Sequence, residues 1–327
     1  MRQLILGLCL FAAACATPQL QTSLAPETTV TPAFSPEDET FTSFDGAKLG
    51  LTVWEATAGD PEHVVVGLHG MNDYANAFHM VAPWLADRGV TTYAYDQRGF
   101  GRSVNRGIWP EPALMREDLR TAIALARARH PDTKLTVIGI SMGGAVAMTL
   151  FASEDSPAGV DRLILSGPGL RGWGALNWLY RGSLWASAHV RPGWVVRPPR
   201  GVKIEPSDNI EMLRRMWNDP LSLRDNRIDQ VYGVVALMEA AHLAAPGLPP
   251  ELPTLMTYGA RDIVIPPAAM MRTARILPEH VRTAYYADGY HMLLRDLQAE
   301  TVYADMLAFM EDPSSELPSG ALAIPVK

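Results

Sequence analysis

The pentapeptide Gly139-Ile140-Ser141-Met142-Gly143 follows directly on the apolar run Leu135-Thr136-Val137-Ile138. An apolar, β-rich run ending in Gly-x-Ser-x-Gly reads as a buried strand that turns sharply into a helix, with a serine at the apex as in a nucleophile elbow. The backbone at such an apex is strained, so its neighbours must be small. Gly139, Gly143 and Gly144 leave room for the turn and for the helix packed behind it. Ala145 to Ala152 continue as a good helix-forming run.

The partners a nucleophilic serine needs follow in chain order. The segment from Leu255 to Asp262 reads as a strand ending in a turn, with Asp262 just past the strand and Ile263-Val264-Ile265-Pro266 next. Thr283-Ala284-Tyr285-Tyr286 reads as a second short strand; Asp288-Gly289-Tyr290-His291 forms the loop after it, and a helix is expected near Leu294. Asp262 and His291 therefore each fall past the carboxyl end of a strand, where an open parallel sheet builds its site. In this arrangement His291 takes the proton of Ser141, and Asp262 orients the imidazole and stabilises its charged form. Asp288 and Asp296 compete for the place of the acid, and His69 for that of the base. Asp262 is preferred because it has its own strand and turn, whereas Asp288 shares a loop with His291. His69 precedes the nucleophile.

The run Val64-Val65-Val66-Gly67-Leu68 is a further buried strand, and it ends in His69-Gly70-Met71. Acyl transfer needs two N–H donors aimed in advance at the developing oxyanion. The backbone amides of Met142, directly after the serine, and of Met71, in the first loop after this strand, are the candidates.

Taken together, His69-Gly70-Met71, the stretch from Asp96 to Ser103, Gly139 to Gly144, Asp262 to Pro266 and Tyr290 to Leu294 resemble the monoacylglycerol lipase and lysophospholipase branch of the α/β-hydrolases, also described as serine aminopeptidase S33-like. The resemblance covers roughly residues 40 to 312. It implies an α/β-hydrolase fold: a mostly parallel central sheet, helices on both faces and a helical cap insertion. It also implies that Asp96 and Arg98 are structural. The residues agree, since Thr91 to Tyr95 alternate as a strand and the glycines at 99 and 101 suit a turn. One departure is that related lipases often carry Gly-Glu-His where this chain has Asn72-Asp73-Tyr74.

The N-terminus suggests export. Arg2 precedes the short apolar run from Leu4 to Ala14, then Cys15. The run is too short for a stable bilayer span. Small residues before a cysteine resemble a bacterial lipoprotein signal covering residues 1–14. Cys15 would then be the lipidated first residue of a protein facing the periplasm, with the outer membrane as the expected address. The alternative is an Ala-x-Ala signal releasing a soluble periplasmic protein. With Cys9 removed, the mature chain has at most one cysteine and no internal disulfide. Residues 15–39 read as a flexible Thr/Pro/Ser/Glu-rich tether, and 313–327 as a poorly ordered tail.

Between these ends lies one large α/β domain, residues 40–312, in which strands alternate with helical stretches such as Ala75 to Arg88 and Ala113 to Arg129. A net charge of −7 argues against nucleic acid. No Cys/His cluster has metal spacing, and His130, His189 and His242 are isolated, so neither a metal nor a cofactor is expected. The stretch from about 172 to 245 has little strand pattern and holds five of the eight tryptophans: Trp173, Trp178, Trp185, Trp194 and Trp217. It reads as a cap over the serine, with an aromatic and aliphatic channel for an acyl group. Its basic residues, among them Arg171, Arg181, Arg191, Arg197, Arg200 and Lys203, are candidates for lipid head groups or for a solvated face. The expected activity is cleavage of small lipid-like esters without a cofactor. An amidase would instead want an acidic cluster in the cap to hold an amine, for which Glu205, Asp208 and Glu211 are candidates. A third reading is a non-catalytic envelope lipoprotein that binds an apolar ligand.

Overall fold

The computed structural model describes residues 16–25, 29–196 and 205–326. The expected leader and Cys15 lie outside the described residues. Three antiparallel strands, β1 (Ala33–Ser35), β2 (Thr40–Thr42) and β3 (Lys48–Trp54), border six parallel ones. These are β4 (His63–Leu68), β5 (Val90–Tyr95), β6 (Lys134–Ile140), β7 (Arg162–Ser166), β8 (Thr254–Gly259) and β9 (Arg282–Tyr286). Among the described residues the sheet order is β9-β8-β7-β6-β4-β5-β3-β2-β1.

The apolar runs explain the layering. Every residue of β4 is buried, and its side chains alternate: Val64, Val66 and Leu68 enter one core, Val65 the other. The first core is covered by α2 (Pro112–Arg129) and α3 (Met142–Phe151), the second by α1 (Val81–Ala86) and α8 (Ala299–Glu311). Helix α2 offers Met115, Leu119, Ala122, Ile123 and Ala126 to its core, the spacing of a single helical face. Three more helices, α4 (Trp178–Val190), α5 (Ile210–Asn218) and α6 (Ile228–Ala244), lie between β7 and β8, and α7 (Pro267–Ala274) follows β8.

The chain runs from β4 to β5 on one side, then crosses to place β6 on the other side of β4. This reversal leaves a crevice at the carboxyl ends of β4 and β6, where open parallel sheets bind ligands. His69-Gly70-Met71 follows β4, and Ser141 follows β6.

Four details depart from the sequence reading. The helix expected from Ala75 starts as a 3-10 turn, Ala75–Phe78, and α1 is confined to Val81–Ala86. The side chain of Asp96 takes the Ala75 N–H at 2.9 Å and fixes that turn. The helix expected near Leu294 is a 3-10 turn, Leu293–Arg295, and α8 begins at Ala299. The stretch read as a tether packs on the domain: Leu20–Gln21 pairs in parallel with Trp109–Pro110, and Ala33–Ser35 closes the sheet. Gln21 is buried and donates to the Ile108 carbonyl at 2.6 Å, while Leu24 N–H reaches Asp45 at 2.9 Å. The tail is likewise placed: Ile324 is buried, its N–H donates to the Thr283 hydroxyl at 3.0 Å, and Ser319 N–H donates to Asp305 at 2.8 Å. In both segments specific polar contacts anchor a chain whose composition is that of a linker.

Arg98 is wholly buried between two carboxylates. It forms a fork to Asp45 at 2.6 and 2.9 Å and donates Nε–H to Asp118 at 2.7 Å. Burial pushes the Asp118 carboxyl up, against the pull of Arg98, whereas Asp45 stays below the usual carboxylate range as its bonds to Arg98 and Leu24 outweigh its burial. The trio clamps the turn after β2 to α2, which bears out a structural role for Arg98. Asp96 is structural too, bonded to Arg102 Nε–H at 2.8 Å. Arg98→Met should destabilise the protein by about 3–5 kcal/mol by stranding two buried carboxylates. Urea unfolding of the variant beside the parent measures this, and a loss below about 1 kcal/mol would show the clamp to be dispensable.

Candidate active site

Ser141 closes β6 with φ 50° and ψ −114°, in the left-handed region that side chains avoid. Close packing enforces this conformation. A Cβ on Gly139 would stand 2.7 Å from Gly144, and one on Gly143 would stand 2.5 Å from the Leu68 carbonyl oxygen. Only glycine lets β4, β6 and the first turn of α3 meet here. The Gly143 N–H donates to His69 O at 3.1 Å, which ties the elbow to the loop after β4.

The structure brings the three separated residues together. His291 Nε2 lies 3.0 Å from Ser141 Oγ, and His291 Nδ1 lies 2.7 Å from Asp262 Oδ2. The other Asp262 oxygen accepts the N–H groups of Val264 and Ile265, each at 2.8 Å. With Oδ1 so occupied, Oδ2 is left to accept Nδ1–H, and Nε2 then faces the serine hydroxyl as an acceptor. Asp262 and His291 are buried. Such a chain can draw a proton from a serine and stabilise the imidazolium that results.

The loop after β4 abuts the serine. A Cβ on Gly70 would stand 3.2 Å from Ser141 Cβ. Neither Met71 nor Met142 donates its backbone N–H to an acceptor among the described residues. Two free N–H groups thus lie next to the elbow, one at the first residue of α3 and one following Gly70 in the loop after β4.

The competing residues are otherwise engaged. His69 is fully buried; its Nε2 accepts Gln97 N–H at 2.8 Å, and Nδ1 bonds to Gly70 O at 2.7 Å. Burial pushes its imidazole below the usual range. Asp288 pairs with Arg261 at the surface. Asp296 accepts Tyr290 N–H at 2.8 Å and the Ser207 hydroxyl at 2.7 Å, which braces the loop carrying His291. Its carboxyl is pushed up to about 6, chiefly by burial.

Two bracing residues escaped the sequence reading. Asp73 and Arg295 form a buried ion pair that joins the loop after β4 to the segment after His291. Arginines are mostly exposed, so nothing in the pattern marked Arg295 as interior. The unusual Asn72-Asp73-Tyr74 stretch also holds the insertion. Asn72, at φ 69°, accepts Leu223 N–H at 2.9 Å, and Tyr74 donates its hydroxyl to Asp219 at 2.6 Å.

The insertion reaches the serine through α6. A Cβ on Gly169 would stand 3.3 Å both from Met238 and from the Ser141 carbonyl. The tryptophans do not form the expected inward channel. Trp173 packs on Tyr232, but Trp178, Trp185, Trp194 and Trp217 are 82%, 56%, 49% and 63% exposed. The acidic candidates do not share a site: Asp208 accepts Leu297 N–H, Glu211 pairs with Arg215, and Glu205 is exposed.

The fold, with a serine at its topological switch point, defines an α/β-hydrolase. The chain belongs to the serine aminopeptidase S33 family, Hydrolase_4, whose profile matches residues 59–298. It is similar to the monoacylglycerol lipase of Mycolicibacterium smegmatis, with 25% identity over 277 residues, 84% of this chain and 96% of that protein. Among solved structures it resembles a soluble variant of monoglyceride lipase from Saccharomyces cerevisiae bound to a substrate analog. That match has a TM-score of 0.70 and 17% identity, covering 90% of this chain and 100% of the other. It also resembles the monoacylglycerol lipase of Paleococcus ferrophilus, with a TM-score of 0.62 and 21% identity over 80% of this chain and 98% of that one.

Proposed function

We propose that this protein is a serine hydrolase that cleaves carboxylic esters of lipids, of the monoacylglycerol or lysophospholipid type, through an acyl-enzyme. The observation that carries the reading is the continuous Ser141–His291–Asp262 chain, placed beside two free backbone N–H groups at the sheet's switch point. The lipid substrate class is supported by the similarity to a monoacylglycerol lipase along 84% of the chain.

Each group has one task. His291 Nε2 takes the proton as Ser141 Oγ attacks the ester carbonyl. The N–H groups of Met142 and Met71 hold the oxyanion, the largest contribution in sites of this type. As the carbon–oxygen bond to the alcohol breaks, His291 returns its proton to the leaving oxygen. Water, its proton taken by His291 Nε2, then attacks the acyl-serine; as the acyl carbon–Oγ bond breaks, His291 returns that proton to Ser141 Oγ and the freed acid leaves. Asp262 holds the imidazole in the tautomer both steps require.

The family's description favours a second reading, an aminopeptidase. Such an enzyme must hold a substrate amine, and the acidic residues of the insertion are dispersed or paired elsewhere. Esters are therefore the preferred substrates. Ser141→Ala and His291→Ala should each lower kcat on a monoacylglycerol on the order of a million-fold, with the fold intact by circular dichroism. Asp262→Asn should cost about ten-thousand-fold, and Asp288→Asn almost nothing. Steady-state kinetics on a monoacylglycerol, with aminoacyl amides in parallel, measures this. Full activity in Asp262→Asn, or faster turnover of the amides, would overturn the assignment.

The proposed location is the bacterial envelope, with the mature chain held by an acylated Cys15. The apolar run ending in Ala12-Ala13-Ala14-Cys15 supports it. Each buried methylene of the acyl chains would add ~0.8 kcal/mol to membrane attachment. Mass spectrometry of the mature N-terminus should find a diacylglyceryl-modified Cys15, and an unmodified N-terminus near residue 15 or 17 would make the enzyme a soluble periplasmic one.

A further inference from the structure

The stretch of the insertion that precedes α5 is seated on the loop that carries His291. Met292 N–H donates to the Pro206 carbonyl at 2.8 Å, Leu297 N–H to the Asp208 carboxylate at 2.8 Å, and the Asn209 side-chain amide to the Arg295 carbonyl at 3.0 Å. Ser, Asp and Asn suit such a contact, because their short side chains reach backbone groups directly. Asn209 also caps α5, accepting Met212 N–H at 3.1 Å, so the helix starts where the contact ends.

Ser207 sits at the centre of this contact. It is 1% exposed, and its hydroxyl donates to Asp296 Oδ1 at 2.7 Å while accepting Asn209 N–H at 3.1 Å. Asp296 is buried as well, and its other oxygen accepts the N–H of Tyr290, the residue before His291, at 2.8 Å. A line of hydrogen bonds thus runs from the insertion, through Ser207 and Asp296, to the backbone beside the base. Burial pushes the Asp296 carboxyl up to about 6; the bonds from Tyr290 and Ser207 oppose that push, Asp208 adds to it and His291 works against it. The Ser207 hydroxyl therefore helps to keep the brace ionised.

His291 stands where one hold on its loop passes to another. Upstream the loop is tied to the turn after β8: Ala260 N–H donates to the Tyr286 carbonyl and Arg261 N–H to the Gly289 carbonyl, each at 2.9 Å. Downstream the insertion supplies the contacts from Pro206, Asp208 and Asn209, beside the buried Asp73–Arg295 pair.

We infer that Ser207 is a positioning residue for His291, acting through Asp296, and that the seating of the insertion on residues 290–297 sets the alignment of the base with Ser141. This role rests on the proposed reaction at Ser141, and it gives the insertion a part in the chemical step. Ser207 makes no hydrogen bond to Ser141 or His291, so its influence passes through Asp296.

The test compares the full-length protein with Ser207→Ala, which removes one buried hydroxyl and leaves the Pro206 carbonyl and the Asn209 side chain in place. Misplacing a reacting group by about 1 Å can cost on the order of a hundredfold, so a partial loosening should lower kcat on a soluble monoacylglycerol about tenfold, with KM nearly unchanged. The rate of fluorophosphonate labelling at Ser141 should fall by the same factor. In an Asp296→Asn background the same substitution should cost less than about twofold, because two residues in one chain of bonds are not additive. Arg215→Ala, at an exposed pair on α5, should keep the parent's kcat. A parent-like kcat and labelling rate in Ser207→Ala, whatever its melting temperature, would overturn the inference. So would a change confined to KM, an equal loss in the Asp296→Asn background, or no labelling of Ser141 in the parent. Labelling of the parent without turnover of monoacylglycerols would remove the lipid-ester reading and leave the labelling rates to decide on Ser207; turnover with undiminished rates in Ser207→Ala would do the reverse.

Discussion

The site depends on a steric constraint. Two strands and a helix turn converge so tightly that no side chain fits at residue 139 or 143, and Ser141 is held at φ 50° as a result. A single strained residue costs of order 1–3 kcal/mol and persists only where its surroundings over-determine it. Here the surroundings are the buried β4 and β6, which are hydrogen-bonded in register from His63↔Lys134 to Leu68↔Gly139. The same register sets His69-Gly70-Met71 beside the elbow. Ser141 and the candidate N–H groups of Met71 and Met142 are thus placed by strands of the buried core.

Around this core the loops at the carboxyl ends of the strands are held by buried polar contacts. Asp73 and Arg295 join the loop after β4 to the segment after His291, and Asp296 braces Tyr290 next to His291. His69 links its own loop to Gln97 beyond β5. A buried ion pair is costly to desolvate and costlier still to break, so these contacts specify one loop arrangement more than they add net stability. The departure at Asn72-Asp73-Tyr74 acquires a physical role here: one short stretch contacts the insertion, the His291 segment and the serine's neighbourhood.

The candidate site is legible in the sequence because it sits where patterns are strongest. Ser141, Asp262 and His291 each follow a β-rich run, and their order along the chain is that of a sheet-based triad; the structure joins them at 3.0 and 2.7 Å. The parallel strands were legible for the same reason, since burial on both faces leaves continuous apolar runs. Three things were not. Contacts far apart in sequence, such as Arg98 with Asp45 and Asp118, leave no local trace. The segments around Gln21 and Ile324 have linker composition, yet a few specific hydrogen bonds and one buried side chain place each of them. The insertion's tryptophans suggest an inward channel because aromatic residues are commonly buried, whereas four of the five face solvent.

In the proposed reaction Ser141, activated by His291, is the nucleophile. Intact-mass spectrometry after exposure to a fluorophosphonate tests it most directly, because a serine phosphonylates rapidly only when a neighbouring base takes its proton. One adduct per chain is expected, mapped by peptide sequencing to Ser141, and it should be lost in His291→Ala although the serine is still present. An adduct on another serine, or undiminished labelling of Ser141 in His291→Ala, would contradict it.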